Sequence, residues 1–206
     1  MTAAAQTMTS TSRKTGKQRT RQRLLDAASA VFLKTGYQGA TLDDIAAAAG
    51  FTKGALYWHF PNKQALFLAL IAASIAENLA KLDQFLAIGR KDPAALKAQF
   101  GEWIDGIDAR ETLPAFGVEL EIESRRDAKF RAAHQGMIGG HQAALIDFLT
   151  QYFALVGERP AMPVAKLAGS LITIFKGFAL TRQNRGEEAI SSAACVRVLI
   201  SLPVED

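Results

Sequence analysis

The stretch "FTKGALYWHF", Phe51–Phe60, lies between "IAAAAG" and "PNKQAL" and decides how the chain is read. It holds four aromatics, a lysine, a histidine and a glycine, but no acid. Thr52 suits a helix N-cap, where its hydroxyl accepts an otherwise unpaired backbone N–H, and Pro61 stops the helix at the other end. Within that helix Leu56 and Phe60 stand four apart on one face, and Phe51 packs beside them from the turn. The opposite side then presents Lys53, Gly54 and Tyr57, with Trp58 and His59 around the flank. Gly54 and Ala55 are small enough to let the backbone approach a partner closely. A short apolar keel beneath a row of donors is what a helix needs to enter a DNA major groove, about 12 Å wide.

The neighbouring segments complete the motif. Thr41 caps a second helix, with Asp44 three residues on as in a capping box, and Gly50 ends it. A helix, a glycine-containing turn and a helix between Thr41 and Phe60 make a helix-turn-helix. Before it, Leu24, Leu25, Ala28, Val31 and Phe32 recur at helical spacing from about Gln18, and Gly36 is the expected left-handed stop. Residues 1–17 are small, polar and basic, and read as a disordered arm. Lys63 opens a fourth helix, where its charge and free backbone N–H groups suit a phosphate.

Beyond the fourth helix, which runs to about Leu86, further helices are expected from Pro93 to Ile107, Pro114 to Ser124 and Asp127 to Leu155. Gly139-Gly140 is a weak point in the last of these. Pro163 to Gly186 and Glu187 to Leu202 complete the set. No alternating strand pattern occurs. The expected fold is all-α with nine helices: an arm (1–17), a DNA-binding domain (18–65) and a larger helical domain (66–206).

Charge supports the division. Residues 1–65 carry nine Lys and Arg against three Asp and Glu, and the rest of the chain fifteen against seventeen. A basic first third on a mildly acidic body points to a polyanionic partner at one end. The six basic residues from Arg13 to Arg23 could follow phosphates or enter a minor groove, or remain a solvated tail. The N-terminus also has a transit-peptide composition, but its basic run leads straight into a folded helix. One cysteine, Cys195, allows no disulfide within the chain. That fits a reducing compartment, and a cytoplasmic location is expected. No uncharged apolar run has the length of a membrane span.

The run Arg21–Leu70, "RQRLLDAASAVFLKTGYQGATLDDIAAAAGFTKGALYWHFPNKQALFLAL", resembles the DNA-binding domain of the tetracycline-repressor (TetR) family. The resemblance rests on "IAAAAG", "TKGALYWHF" and "NKQAL". It implies a dimeric bacterial regulator, most often a repressor, whose C-terminal ligand moves two DNA-reading heads apart. Position by position, Thr41, Tyr57 and Lys63 match phosphate contacts. Lys53, Gly54, Ala55, Trp58 and His59 fall where the family contacts bases or backbone, and Thr52, the cap of the reading helix, is expected among the DNA-binding residues with them. Phe51 departs from the family's smaller aliphatic. The implied partners are an operator duplex, a small-molecule effector and a second copy of the chain.

The eighth helix is apolar or small around most of its circumference, so both sides need cover. A two-fold interface of the last two helices is expected, through Leu167, Leu171, Ile174, Phe178, Ala193, Val196 and Ile200. Helices four to seven suit a ligand cavity lined by Phe100, Trp103, Ile107, Phe116, Glu119, Phe130, His134, Met137 and Phe175, with Phe85 and His141 as further candidates. For the aromatics, plain core packing competes with that role.

Enzyme signals are lacking. His134 and His141 share a helix face without acidic ligands at metal spacing, and no HExxH occurs. "TGKQRT", Thr15–Thr20, lacks the glycine spacing of a phosphate loop. Asp105, Asp108 and Glu102 read as a solvated face. No metal, cofactor or catalysis is expected. The competing reading is a helical interaction or enzyme domain with a merely structural helix-turn-helix.

Overall fold

The computed structural model describes the backbone of residues 3–106, 112–181 and 191–201, and within it the side chains of 16–106, 113–180 and 191–200. Nine helices and no strand occur among these residues. The fold is all-α. The chain divides into two compact units, residues 1–70 and 71–206.

The first unit holds α1 (Ala3–Gly39), α2 (Leu42–Ala49), α3 (Lys53–His59) and the start of α4 (Lys63–Gly89). α1 begins at Ala3, so residues 3–17 of the segment expected to be a disordered arm have a helical backbone. Ala3, Ala4 and Ala5 are strong helix formers, and no Pro or Gly precedes Gly16 to break the run. Gly36 does not form the expected left-handed stop. At φ 70°, ψ 169° it kinks α1 in a conformation open essentially only to glycine, and one further turn follows.

Local signals set the next two helices. Thr41 Oγ1 accepts from the Asp44 backbone N–H at 3.1 Å and donates to Asp44 Oδ2 at 2.6 Å. Gly50 closes α2 in the left-handed region at φ 71°, ψ 31°. Thr52 Oγ1 accepts from the Ala55 N–H at 3.2 Å and starts α3.

Leu24, Leu25, Phe32, Ile45, Leu56, Leu66 and Phe67 form the core of this unit. Phe67 meets Phe32 edge-on, with centroids 5.1 Å apart, and tilts against Tyr37 at 4.8 Å. Because Leu66, Phe67 and Leu70 are buried there, the unit ends after Leu70 rather than at residue 65.

The second unit contains the rest of α4, then α5 (Pro93–Asp105), α6 (Thr112–Arg126), α7 (Ala128–Val156), α8 (Val164–Thr181) and α9 (Ser192–Ser201). Asp92 and Asp127 cap α5 and α7. α7 runs unbroken through Gly139-Gly140, since neither glycine leaves the helical region, and Gly157 at φ 71° terminates it. The expected boundary at Gly186 and Glu187 lies outside the described residues. Phe85, Phe100, Phe148, Leu149, Tyr152 and Phe153 centre the core.

α4 is long and apolar enough, by length and composition, to cross a membrane. Its apolar residues are nevertheless used by the protein itself: Leu66, Phe67 and Leu70 are buried in the first unit, and Ile71, Leu82, Phe85 and Leu86 in the second.

One sequence expectation needs correcting. Leu167, Leu171, Ala193, Val196 and Ile200 are buried at 0–8% exposure inside the chain's own core, so they are not available to a second copy. Periodicity shows which stripe of a helix is covered, but not by what. Of the expected interface residues only Ile174 and Phe178 stay half-exposed. Leu180 at 62% and Val198 at 57% are the exposed large apolar side chains of α8 and α9.

Candidate functional site

α3 is amphipathic in the sense its sequence requires. Leu56 is fully buried and Phe60 nearly so. Lys53, Gly54, Tyr57 and Trp58 are exposed, with Trp58 at 66%. A Cβ built on Gly54 would meet nothing nearer than Thr52 Oγ1 at 3.9 Å. The fold therefore has no packing need for glycine here, whereas a close-approaching partner does.

Cations border this face. Lys17 Nζ lies 4.3 Å from the centre of the Trp58 ring, and the His59 ring stands edge-on to the same indole at 4.7 Å. Burial lowers the His59 pKa, and the nearby Lys17 and Arg21 charges lower it further. Arg23 donates to the Ala49 carbonyl at 3.0 Å, with its guanidinium 4.7 Å from the Phe51 ring. The unusual Phe51 is thus roofed by an arginine and has no place on the outward face.

Two of the expected contact residues are engaged within the head. Lys53 Nζ pairs with Asp43 at 2.8 Å, and the hydrogen bond to that carboxylate raises the lysine's pKa. Lys63 Nζ donates to the carbonyls of Tyr37 at 2.9 Å, Ala40 at 3.0 Å and Gln38 at 3.2 Å. An ammonium has three donors, and all three are used on the chain leaving α1. Lys63 thus braces that turn, at the position where the sequence led us to expect a phosphate contact. Thr41 and Thr52 serve as caps and remain exposed.

The second unit contains a partly open cavity of about 770 Å³. Phe100, Trp103, Phe175 and His141 line it, as expected, and Phe148, Leu149 and Ile104 add apolar wall. Phe100 and Trp103 stack with centroids 5.9 Å apart. Phe116 and Phe130 are core residues off the cavity wall, at 1% and 4% exposure. Glu119, His134 and Met137 do not line it either, and Ile107 lies outside the described residues.

Polar groups on α4, namely Ser74, Glu77, Asn78, Lys81 and Gln84, belong to the lining and were not anticipated. Asn78 Oδ1 lies 3.3 Å from His141 Nε2, and burial lowers the pKa of that histidine. Lys176, also in the lining, sits 3.2 Å from Glu121 Oε2. Burial opposes ionisation of Glu121, yet Lys176 holds its carboxyl below the usual range. His134 Nε2 approaches the same oxygen at 3.4 Å without a well-aligned hydrogen bond, so that contact is electrostatic only.

Residues 24–70 match the family model described as bacterial regulatory proteins, tetR family. Residues 24–70 thus form a TetR-type head. The HTH-type transcriptional regulator SrpR of Pseudomonas putida is 52% identical over 54 residues, 26% of this chain and 25% of SrpR. The HTH-type transcriptional repressor KstR2 of Rhodococcus jostii is 32% identical over 100 residues, 48% of this chain and 49% of KstR2. The chain thus spans a quarter to a half of the length of these curated relatives. A crystal structure of the regulatory protein TetR from Rhodobacter sphaeroides superposes with a TM-score of 0.63 at 27% identity, covering 79% of this chain and 87% of that one.

Among the described residues no three His, Cys, Asp or Glu side chains gather as a metal site. Asp105, expected on a solvated face, pairs with Arg197 of α9, whose hydrogen bond lowers the carboxyl's pKa.

Proposed function

We propose that the protein is a transcriptional repressor that binds a palindromic operator as a dimer. It leaves the operator when a small molecule fills the cavity of the second unit. The observation that carries this reading is the outward face of α3, where Lys53, Gly54, Tyr57 and Trp58 are exposed and a Cβ at Gly54 would find open space. Tyr57 and Thr41 reach phosphates, while Lys53, Gly54, Ala55, Trp58 and His59 meet bases or the adjoining backbone. The family of the head supports DNA as the partner, and the name of the Rhodococcus relative supports repression.

The cavity favours an effector of drug-like size, since about 770 Å³ lies within the ~300–1,000 Å³ of small-molecule sites. Its aromatic wall and the few polar groups of α4 suit a largely apolar molecule with one or two hydrogen-bonding groups. Leu180 and Val198, both exposed, suit a surface between copies of the chain.

Selection of random duplexes by the purified protein tests this function. A palindrome with half-sites separated by about one helical turn, or a close multiple, is the expected product. Recovery of sequences without a common motif would contradict it.

A further inference from the structure

We propose that α1 upstream of Arg23 is a second DNA-contacting element, one that takes the backbone phosphates flanking each half-site. The proposal rests on the reading of the head as a DNA-binding domain. Its first support is uncompensated charge. Six Lys and Arg lie between Arg13 and Arg23, and no acid precedes Asp26. Asp26 accepts a hydrogen bond from Gln22 at 2.8 Å. Lys17, Arg19 and Arg21 are exposed, and none pairs with a carboxylate among the described residues. Like charges packed along one helix repel one another, and a polyanion relieves that repulsion.

The second support is placement. Lys17 and Arg21 stand four apart, and both face the end of the reading helix: Lys17 lies 4.3 Å from the Trp58 ring and Arg21 5.2 Å from the Phe60 ring. The stripe therefore runs beside the face that carries Trp58. Arg13 occupies the position one turn earlier at the same spacing.

The third support decides the target. A helix is about 10–12 Å across, whereas the minor groove is only about 6 Å wide. An extended arm could enter it, but this helical segment cannot. Its cations are left with phosphates. From Gly16 back to Ala3 the helix reaches roughly 20 Å at 1.5 Å per residue. At ~3.4 Å per base pair that is up to about six base pairs of flank.

The test uses the full chain and the selected palindrome, with either no flanking sequence or ten added base pairs on each side (roughly one helical turn). Affinity is measured across a salt series. The wild type binds the flanked duplex more tightly and with the steeper salt slope. An Arg13→Gln, Lys17→Gln double variant loses that difference, its slope falling by about one unit per phosphate contact removed, with the preferred sequence unchanged. Lys17→Arg keeps the wild-type slope. Flank trimming needs no variant, so the test survives any change in α1. Equal affinity and slope on both duplexes for the wild type overturn the proposal. So does a double variant whose preferred sequence changes while its slope stays, because that places the stripe in base readout. A wild type that binds no duplex overturns the underlying reading of the head instead.

Discussion

Lys53 Nζ stands 2.8 Å from Asp43 Oδ1, so the first basic side chain of the outward face of α3 is tied to the first turn of α2. Both partners are more than half exposed, at 57% and 61%. Such a pair is weak and easily exchanged for a phosphate or a guanine edge. Asp43→Asn frees the lysine and removes a negative charge from the DNA side. Duplex affinity is expected to rise severalfold with little change in melting temperature. Weaker binding by the variant would mean that the pair instead holds Lys53 in its reading position.

Lys63 bridges three carbonyls at the end of α1, so Lys63→Met strands acceptors in a half-buried turn. The expected cost is about 1–3 kcal/mol of head stability, read from chemical denaturation. The salt slope of duplex binding should stay unchanged under conditions where the variant is folded. A stable variant with a slope lowered by one unit would return Lys63 to the phosphate contacts.

The last two helices separate core from surface. Leu171→Ala should cost about 2–5 kcal/mol, as a buried leucine does, because Leu171 is 4% exposed within the chain. Leu180→Asp combined with Val198→Asp should leave the fold intact and shift the protein toward monomer in sedimentation experiments. A Leu180, Val198 variant that still forms the wild-type assembly would place the dimer surface elsewhere.

His59, His134 and His141 all have lowered pKa values, each chiefly because burial opposes the charged ring. The unfolded chain therefore binds protons more readily than the folded one as pH falls through about 6.5. Stability should be at its full value above that pH and decline below it, until the folded-state values are passed. Thermal melts at pH 7.5 and 5.5 check this. His141→Gln should reduce the difference, and a protein equally stable at both values would contradict the assigned environments.

The helix-turn-helix was legible because its signals are local. Thr41, Gly50, Thr52 and Pro61 act on backbone groups within a few residues, and Leu56 and Phe60 reveal the buried face by spacing alone. The role of Lys63 was not legible. Its acceptors are backbone carbonyls 23–26 residues away, and a carbonyl leaves no mark in residue type. The dimer residues failed for a related reason: Leu171 and Val196 show that a stripe is covered, but one chain and two look alike in a pattern. The cavity fell between these cases. Phe100, Trp103 and Phe175 announce an aromatic wall, whereas Asn78 and Lys81 lie on a helix whose apolar side drew the reading to packing.

The central claim, that the outward face of α3 exists for DNA rather than for the fold, meets its most direct test in Gly54→Glu. A side chain at this position finds open space within the chain, and replacing glycine removes a flexible residue from a helix. A carboxylate near the N-terminus of α3 also suits the helix dipole. Melting temperature and affinity for the selected palindrome are measured on the same preparation. The account predicts a protein at least as stable as the wild type that no longer binds the duplex. A Gly54→Glu protein that folds and binds the palindrome with wild-type affinity would contradict it.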